Sequence, residues 1–217
     1  MAKLILVMGE SGSGKTTSMR NLPPAETLYI DCDGKGLAWK GWRSQYNRQN
    51  VNYFQTSNKD EIMKYLGGVD AAKTDRTKAF KYVVIDTING IMVDDEFARM
   101  AEKGYDKWQD LAQSVYGIIS FALRMRPDLT VIFLAHSQTE RDDNGFMFTR
   151  VKTSGKKLDK IVLESKFPVV LLAKNNGGRF VLETQSNNST AKTPMGAVED
   201  REIDNDIMTI IKALEDY

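Results

Sequence analysis

Short runs of apolar, mostly β-branched residues recur along the chain, separated by longer stretches whose apolar positions fall at helical spacing. The runs are Leu4–Met8, Leu28–Asp31, Val51–Phe54, Tyr82–Asp86, Val131–Ala135 and Val169–Ala173, with a further strand at Phe180–Glu183. Apolar runs that do not alternate with polar residues mark strands covered on both faces. Helices are predicted at Lys15–Asn21, Lys59–Leu66, Trp108–Met125, Lys156–Glu164 and Glu202–Leu214; in the last, Ile203, Ile207, Ile210, Ile211 and Leu214 form one apolar face. Strands alternating with helices predict an α/β fold, a mostly parallel sheet with helices on both faces. Asp70–Lys78, Glu140–Ser154 and Gln185–Ala197 are polar and read as loops, where α/β folds commonly carry function.

Composition narrows this picture. The chain has 217 residues, enough for one domain with a real core, and no repeat or proline-rich linker divides it. It is therefore expected to be a single domain over 1–217, with 200–217 as a C-terminal packing or interface helix. Lys plus Arg at 30 against Asp plus Glu at 29 leaves a net charge of +1, so any attraction for nucleic acid must be local. One cysteine, Cys32, and one histidine, His136, exclude a structural zinc site built from those residues and an internal disulfide, which suits a reducing cytoplasm. The opening MAKLILVMG lacks the flanks of a signal peptide and reads as a buried strand. No apolar run approaches the ~18 residues that span a bilayer, so no membrane partner is expected.

The strongest chemical signal is GESGSGKT, Gly9 to Thr16, placed between a predicted strand and a predicted helix. This is the P-loop pattern GxxxxGK[ST] in the context that supports it. Gly9, Gly12 and Gly14 permit a backbone path whose amides face phosphate oxygens, so Gly9, Glu10, Ser11, Gly12, Ser13, Gly14, Lys15, Thr16 and Thr17 are the expected nucleotide-binding residues. Lys15 is expected to reach the β- and γ-phosphates of ATP, and Thr16 to offer its hydroxyl to Mg2+. YVVID, Tyr82–Asp86, is an apolar strand ending in a carboxylate, so Asp86 is expected to polarise a water on Mg2+ or to touch the metal directly.

Among P-loop enzymes, a GTPase reading is disfavoured because Asn58-Lys59-Asp60 lies at the wrong spacing for a guanine-reading element. A nucleoside-phosphate kinase is disfavoured because the loop after Ala135 is mixed in charge. Two stretches interleave cations with aromatics: Lys35, Lys40, Arg43 and Arg48 with Trp39, Trp42 and Tyr46, and Arg141, Arg150, Lys152, Lys156, Lys157 and Lys160 with Phe146 and Phe148. Such stretches suit single-stranded DNA, on which aromatics stack and cations neutralise phosphates; the first also fits an amphipathic helix with core tryptophans. Arg141, Arg150, Lys152, Lys156 and Lys157 are the candidate DNA contacts. Acidic Glu199, Asp200, Glu202, Asp204, Asp206, Glu215 and Asp216 make the C-terminal end unsuited to phosphate.

The order P-loop, LYIDCDGKG, VNYFQTSN, YVVIDTING and VIFLAHSQ resembles the RecA-type recombinase core. With YIDCDGKG, LAHSQ and NSTAKTPMG, the chain from Leu4 to about Gly196 resembles the small phage-encoded RecA-like P-loop ATPases that act as single-strand annealing proteins in phage recombination. The resemblance implies a RecA-like core and ATP hydrolysis stimulated by single-stranded DNA. It also implies a homo-oligomeric ring or filament and a single-strand-binding protein as partner. It puts Asp33 where recombinases have the glutamate that orients the attacking water, with Asp31 as competitor. It puts His136 where a polar residue senses the γ-phosphate at a strand end, and Lys192 in the segment that supplies a cation to the neighbouring subunit's nucleotide; Lys192 equally fits a solvated loop or a DNA contact. A nucleotide-gated module that loads or regulates a replication protein, and a P-loop phosphotransferase, are the alternative readings.

Overall fold

The computed structural model describes residues 1–99, 106–141, 145–153 and 162–215. The strands are β1 (Lys3–Gly9), β2 (Thr27–Asp31), β3 (Tyr53–Gln55), β4 (Tyr82–Asp86), β5 (Thr130–Arg141), β6 (Met147–Val151), β7 (Val169–Asn176), β8 (Arg179–Glu183) and β9 (Glu202–Asp204). The helices are α1 (Trp42–Gln45), α2 (Lys59–Ala71), α3 (Asp75–Ala79), α4 (Ile88–Ala98), α5 (Asp106–Arg124) and α6 (Ile207–Ala213).

The strands form one mixed sheet in the order β3-β2-β4-β5-β1-β7-β8-β9, with β6 paired to β5 alone. Pairing is parallel from β3 through β7, and antiparallel where β8, β9 and β6 join. This is the α/β architecture of a P-loop NTPase, with β1 at the middle. Alternation along β1 builds both halves of the core, because successive side chains leave opposite faces. Leu4, Leu6 and Met8 join Ile62 and Leu66 of α2, Ile91 and Met92 of α4, and Ile118 and Ile119 of α5. Ile5 and Val7 join Met19, Tyr46 and, from α6, Ile207 and Ile210 on the other face. Leu6 is wholly buried, so its truncation to alanine costs about 2–5 kcal/mol.

Local chemistry sets the element ends. Asn58 caps α2 by accepting from the amides of Asp60 (2.9 Å) and Glu61 (3.1 Å), so the Asn58-Lys59-Asp60 string is a helix start. β3 begins later than predicted because Val51 sits in a turn with φ 50. Within the stretch read as a loop from Asp70, Thr74 and Thr77 form a reciprocal cap that starts α3. Two helix predictions need correction. Lys15–Asn21 is a set of turns around one 3-10 turn at Thr17–Met19, because Pro23 and Pro24 follow at once and hydroxyl residues crowd its start. In Glu202–Leu214 the first part is β9, paired to β8, and α6 starts only after Asp206, whose carboxylate accepts from the Met208 amide. Lys156–Glu164 lies mostly outside the described residues, and its visible end, Leu163–Lys166, is a 3-10 turn. α4 was not anticipated.

Candidate functional site

The P-loop leaves the carboxyl end of β1 at Gly9, level with His136 on β5. Gly9 is required by space: a β-carbon there would lie 2.7 Å from the Ala173 carbonyl of β7 and 2.5 Å from Ser13 Oγ. Gly12 and Gly14 carry φ values of +76° and +95°, which L side chains resist. Glu10, Ser11 and Gly12 are exposed, Ser13, Lys15 and Thr16 are buried, and Thr17 is half-buried. With only a short turn after the loop, the pull on phosphate comes from the loop amides and Lys15 more than from a helix dipole.

Lys15 folds back over its own loop, donating to the carbonyls of Gly9 (2.8 Å) and Glu10 (2.7 Å). Burial lowers its pKa from 10.5 to about 8, against the opposing pull of Asp86. A buried ammonium whose hydrogen bonds, among the described residues, go to neutral carbonyls is a ready receiver for phosphate oxygens.

Thr16 and Asp86 meet: the Thr16 hydroxyl donates to Asp86 Oδ2 at 2.8 Å, and the Tyr29 hydroxyl donates to the same oxygen at 2.7 Å. Asp86 is 1% exposed, and its Oδ1 is buried without a hydrogen-bond partner among the described residues. Burial raises the Asp86 pKa, opposed by the Tyr29 hydrogen bond, the Lys35 charge and the Thr16 hydrogen bond. An orphaned carboxylate oxygen beside a threonine hydroxyl, next to a phosphate loop, is a donor set that fits Mg2+ held mainly by phosphate and water. Among the described residues no group of three or more His, Cys, Asp or Glu gathers as a protein-only metal cage.

The two competing aspartates differ in surroundings. Asp31 is 1% exposed and its oxygens are occupied: Oδ1 accepts from the Gly34 amide (2.9 Å), Oδ2 from the Gly36 amide (2.8 Å) and the Tyr53 hydroxyl (2.7 Å). Asp33 lies beyond the strand end, where Oδ1 accepts from Thr87 Oγ1 (3.0 Å), beside Asp86 in sequence, and Oδ2 pairs with Lys35 (2.6 Å). Asp33 also lies against α4, where a β-carbon on Gly90 would come within 2.7 Å of its Oδ1.

His136 is not at a strand end. β5 continues to Arg141, and His136 marks the change from parallel pairing with β1 to antiparallel pairing with β6. The histidine is half-buried, and burial, aided by the nearby Lys15 charge, lowers its pKa. Asn89, in the first turn of α4, accepts from the His136 amide (2.7 Å) and donates to the Lys152 carbonyl (2.7 Å). It ties the end of β4 to the junction on β5 and to the chain leaving β6. Sequence reading missed Asn89, Tyr29 and Thr87; the polar TING directly after YVVID was the signal for the first and last.

NSTAKTPMG keeps Lys192 exposed, as the outward loop reading expects, but is no free loop. Its backbone is strapped across two strands: Thr149 bridges Ser189, and Val170 exchanges hydrogen bonds of 2.9 and 2.8 Å with Lys192. Lys192 is exposed, but level with Val170, which pairs with Leu6 below the P-loop. Within one chain it is therefore apart from the phosphate loop, because the strap holds it at the middle of β1 and not at its carboxyl end.

The two basic-aromatic stretches also part company. Tyr46 is wholly buried against Tyr29 and Trp39, and Trp42 packs on Tyr53 at 5.1 Å between ring centres. The amphipathic helix that this stretch also fitted is confined to α1. On the β5–β6 hairpin, by contrast, Phe146 and Phe148 are 72% and 38% exposed, and they line a groove of about 480 Å³ with Arg141, Arg150 and Val162. Arg150 pairs with Glu140 at 3.0 Å, and Lys152 is exposed. Lys156, Lys157 and Lys160 lie outside the described residues.

A glycine-forced phosphate cradle, a buried lysine inside it and a P-loop hydroxyl bonded to the carboxylate that ends β4, one strand removed from β1, serve nucleoside triphosphate chemistry together. The domain is of the P-loop ATPase class. Sequence comparison gives the same answer from independent ground: the profile of the AAA domain family matches residues 1–195, and the chain belongs to that family. A search of curated proteins finds no match. Among the described residues, no helix is long and apolar enough to cross a membrane.

Proposed function

We propose that the protein is a Mg2+-dependent ATPase that acts on single-stranded DNA as a homo-oligomer, in phage DNA recombination or annealing. The observation that carries this reading is β5 itself. One strand begins buried beside β1, passes the P-loop at His136, and ends in a hairpin that presents aromatic and basic side chains to solvent. A change in the crevice then has a short mechanical route to the hairpin through His136 and Asn89. The recombinase resemblance of the sequence supplies the DNA, the oligomer and the cytoplasmic setting, that of the host if phage-encoded, with a single-strand-binding protein as partner.

In this reading the loop amides and Lys15 hold the β- and γ-phosphates, and Thr16 and Asp86 hold Mg2+. When bound, Mg2+ neutralises charge on the β- and γ-oxygens. Asp33 accepts the proton of the attacking water as the bond between the γ-phosphorus and the bridging oxygen breaks, and Asp31 keeps the following loop in shape. His136 senses the γ-phosphate. Lys192 acts on nucleotide from a neighbouring subunit. Arg141, Arg150 and Lys152, with Lys156 and Lys157, neutralise DNA phosphates while Phe146 and Phe148 stack on bases.

The test is fluorescence anisotropy of a labelled single-stranded oligonucleotide with Mg2+ and a non-hydrolysable ATP analogue. Binding that tightens with the analogue, and weakens when Arg141, Arg150 and Lys152 become alanine, supports the reading. Absence of oligonucleotide binding in every nucleotide state refutes it.

A further inference from the structure

Lys35 looks in the sequence like the first cation of a surface stretch, yet the fold pairs it with Asp33, which is bonded to Thr87 next to Asp86. The loop Asp33-Gly34-Lys35-Gly36 carries positive φ at both glycines, +67° and +80°. The buried Asp31 carboxylate binds both glycine amides, and Gly36 is backed by Trp42, whose ring would lie 2.8 Å from a β-carbon there. The backbone on either side of Lys35 is thus fixed, while its side chain, 47% exposed, keeps room to move. Its ammonium rests on Asp33 Oδ2 at 2.6 Å, and its charge is felt by both Asp86 and Lys15. A second lysine therefore stands at the metal and phosphate end of the crevice, engaged with the carboxylate assigned to the attacking water.

We propose that Lys35 is a second phosphate-binding cation supplied by the same chain, which leaves Asp33 for the terminal phosphate of the bound triphosphate. The inference rests on the nucleotide-site reading above. A terminal phosphate carries more negative charge than one carboxylate and offers several acceptor oxygens, so it competes successfully for the ammonium. Transfer of Lys35 to the phosphate has a double effect: charge is neutralised where it develops during hydrolysis, and Asp33 is released to accept a proton. Without a terminal phosphate, Lys35 and Asp33 hold each other and the base is masked. ADP, lacking that group, does not draw Lys35 away.

The test is calorimetric titration of wild type, Lys35→Met, Lys35→Arg, Asp33→Asn and the Asp33→Asn/Lys35→Met double variant with ATPγS and with ADP, both with Mg2+. Lys35→Met is expected to weaken ATPγS about tenfold or more while ADP stays within about twofold, and Lys35→Arg to recover part of the preference. Asp33→Asn, which frees the ammonium, should bind ATPγS at least as tightly as wild type. The double variant decides between contact and simple charge balance. If it stays weak for ATPγS, Lys35 touches phosphate; if it regains the wild-type preference, Lys35 only balances Asp33 and the inference fails. Equal loss for both nucleotides, or loss for neither, in Lys35→Met also overturns it. A wild type that binds neither nucleotide, or a Lys15→Ala variant that keeps both, would instead sink the nucleotide site itself and this inference with it.

Discussion

The segment from Lys35 to Asn50 and the β5–β6 hairpin carry the same composition, cations interleaved with aromatics, and use it in opposite ways. In the first, Trp39, Trp42 and Tyr46 turn under the sheet and close the core beside β2 and β3. In the second, Phe146, just before β6, and Phe148, on it, are exposed to solvent. The difference lies in what covers each aromatic. Buried rings contribute folding energy, whereas exposed rings beside cations suit stacking on bases.

Removing a buried ring should have the largest effect. Tyr46→Ala deletes a fully buried ring that also donates to the Leu22 carbonyl at 3.2 Å, and about 3–5 kcal/mol of stability should go with it. Chemical denaturation measures this, and a near-normal midpoint would remove the core assignment. Next comes charge on the hairpin. Arg141→Ala, Arg150→Ala and Lys152→Ala together should lower the slope of log affinity against log salt by up to ~2, at about 0.7 per lost phosphate contact. Arg150 is expected to give less than its share, because its removal also frees Glu140. An unchanged slope would return attention to Lys40 and Arg43.

The exposed rings follow. Phe146→Ala and Phe148→Ala should each weaken oligonucleotide binding by ~1–3 kcal/mol while the unfolding midpoint hardly moves. A fall in stability without loss of DNA would reverse the assignment. The smallest effect separates the buried cation of the crevice from the exposed ones of the hairpin. Lys15, with a pKa near 8 in the free protein, regains its full charge beside phosphate, so nucleotide binding takes up a proton around that pH. Nucleotide affinity should therefore fall by up to about tenfold per pH unit above 8, while oligonucleotide affinity stays flat. Calorimetry in buffers of different ionisation heat reads the proton directly, and zero uptake at pH 8 would contradict the buried position of Lys15.

Much of this was legible because parallel strands buried on both faces spell themselves out. Tyr82–Asp86 was read to the residue, and the phosphate loop followed from glycine positions that no other residue tolerates. What escaped depends on partners distant in sequence. That β5 runs on past His136 requires β6 to pair with it, and the strap at Lys192 needs Val170 and Thr149. The pairing of Lys35 with Asp33 depends on Asp31 gripping the two glycine amides that flank Lys35. Pro23 and Pro24, by contrast, were visible and should have shortened the helix after the P-loop, as Asp206 should have marked the start of α6.

In the proposed function, nucleotide turnover in the crevice and DNA on the hairpin are linked through β5. The direct measurement is steady-state phosphate release by the wild-type protein with Mg2+ and ATP as single-stranded DNA is added. The rate should rise several-fold, saturate where oligonucleotide binding saturates, and lose that rise in the Arg141, Arg150 and Lys152 triple variant. A rate that stays constant while the oligonucleotide is fully bound would contradict it, and would leave a nucleotide-gated binding module in its place.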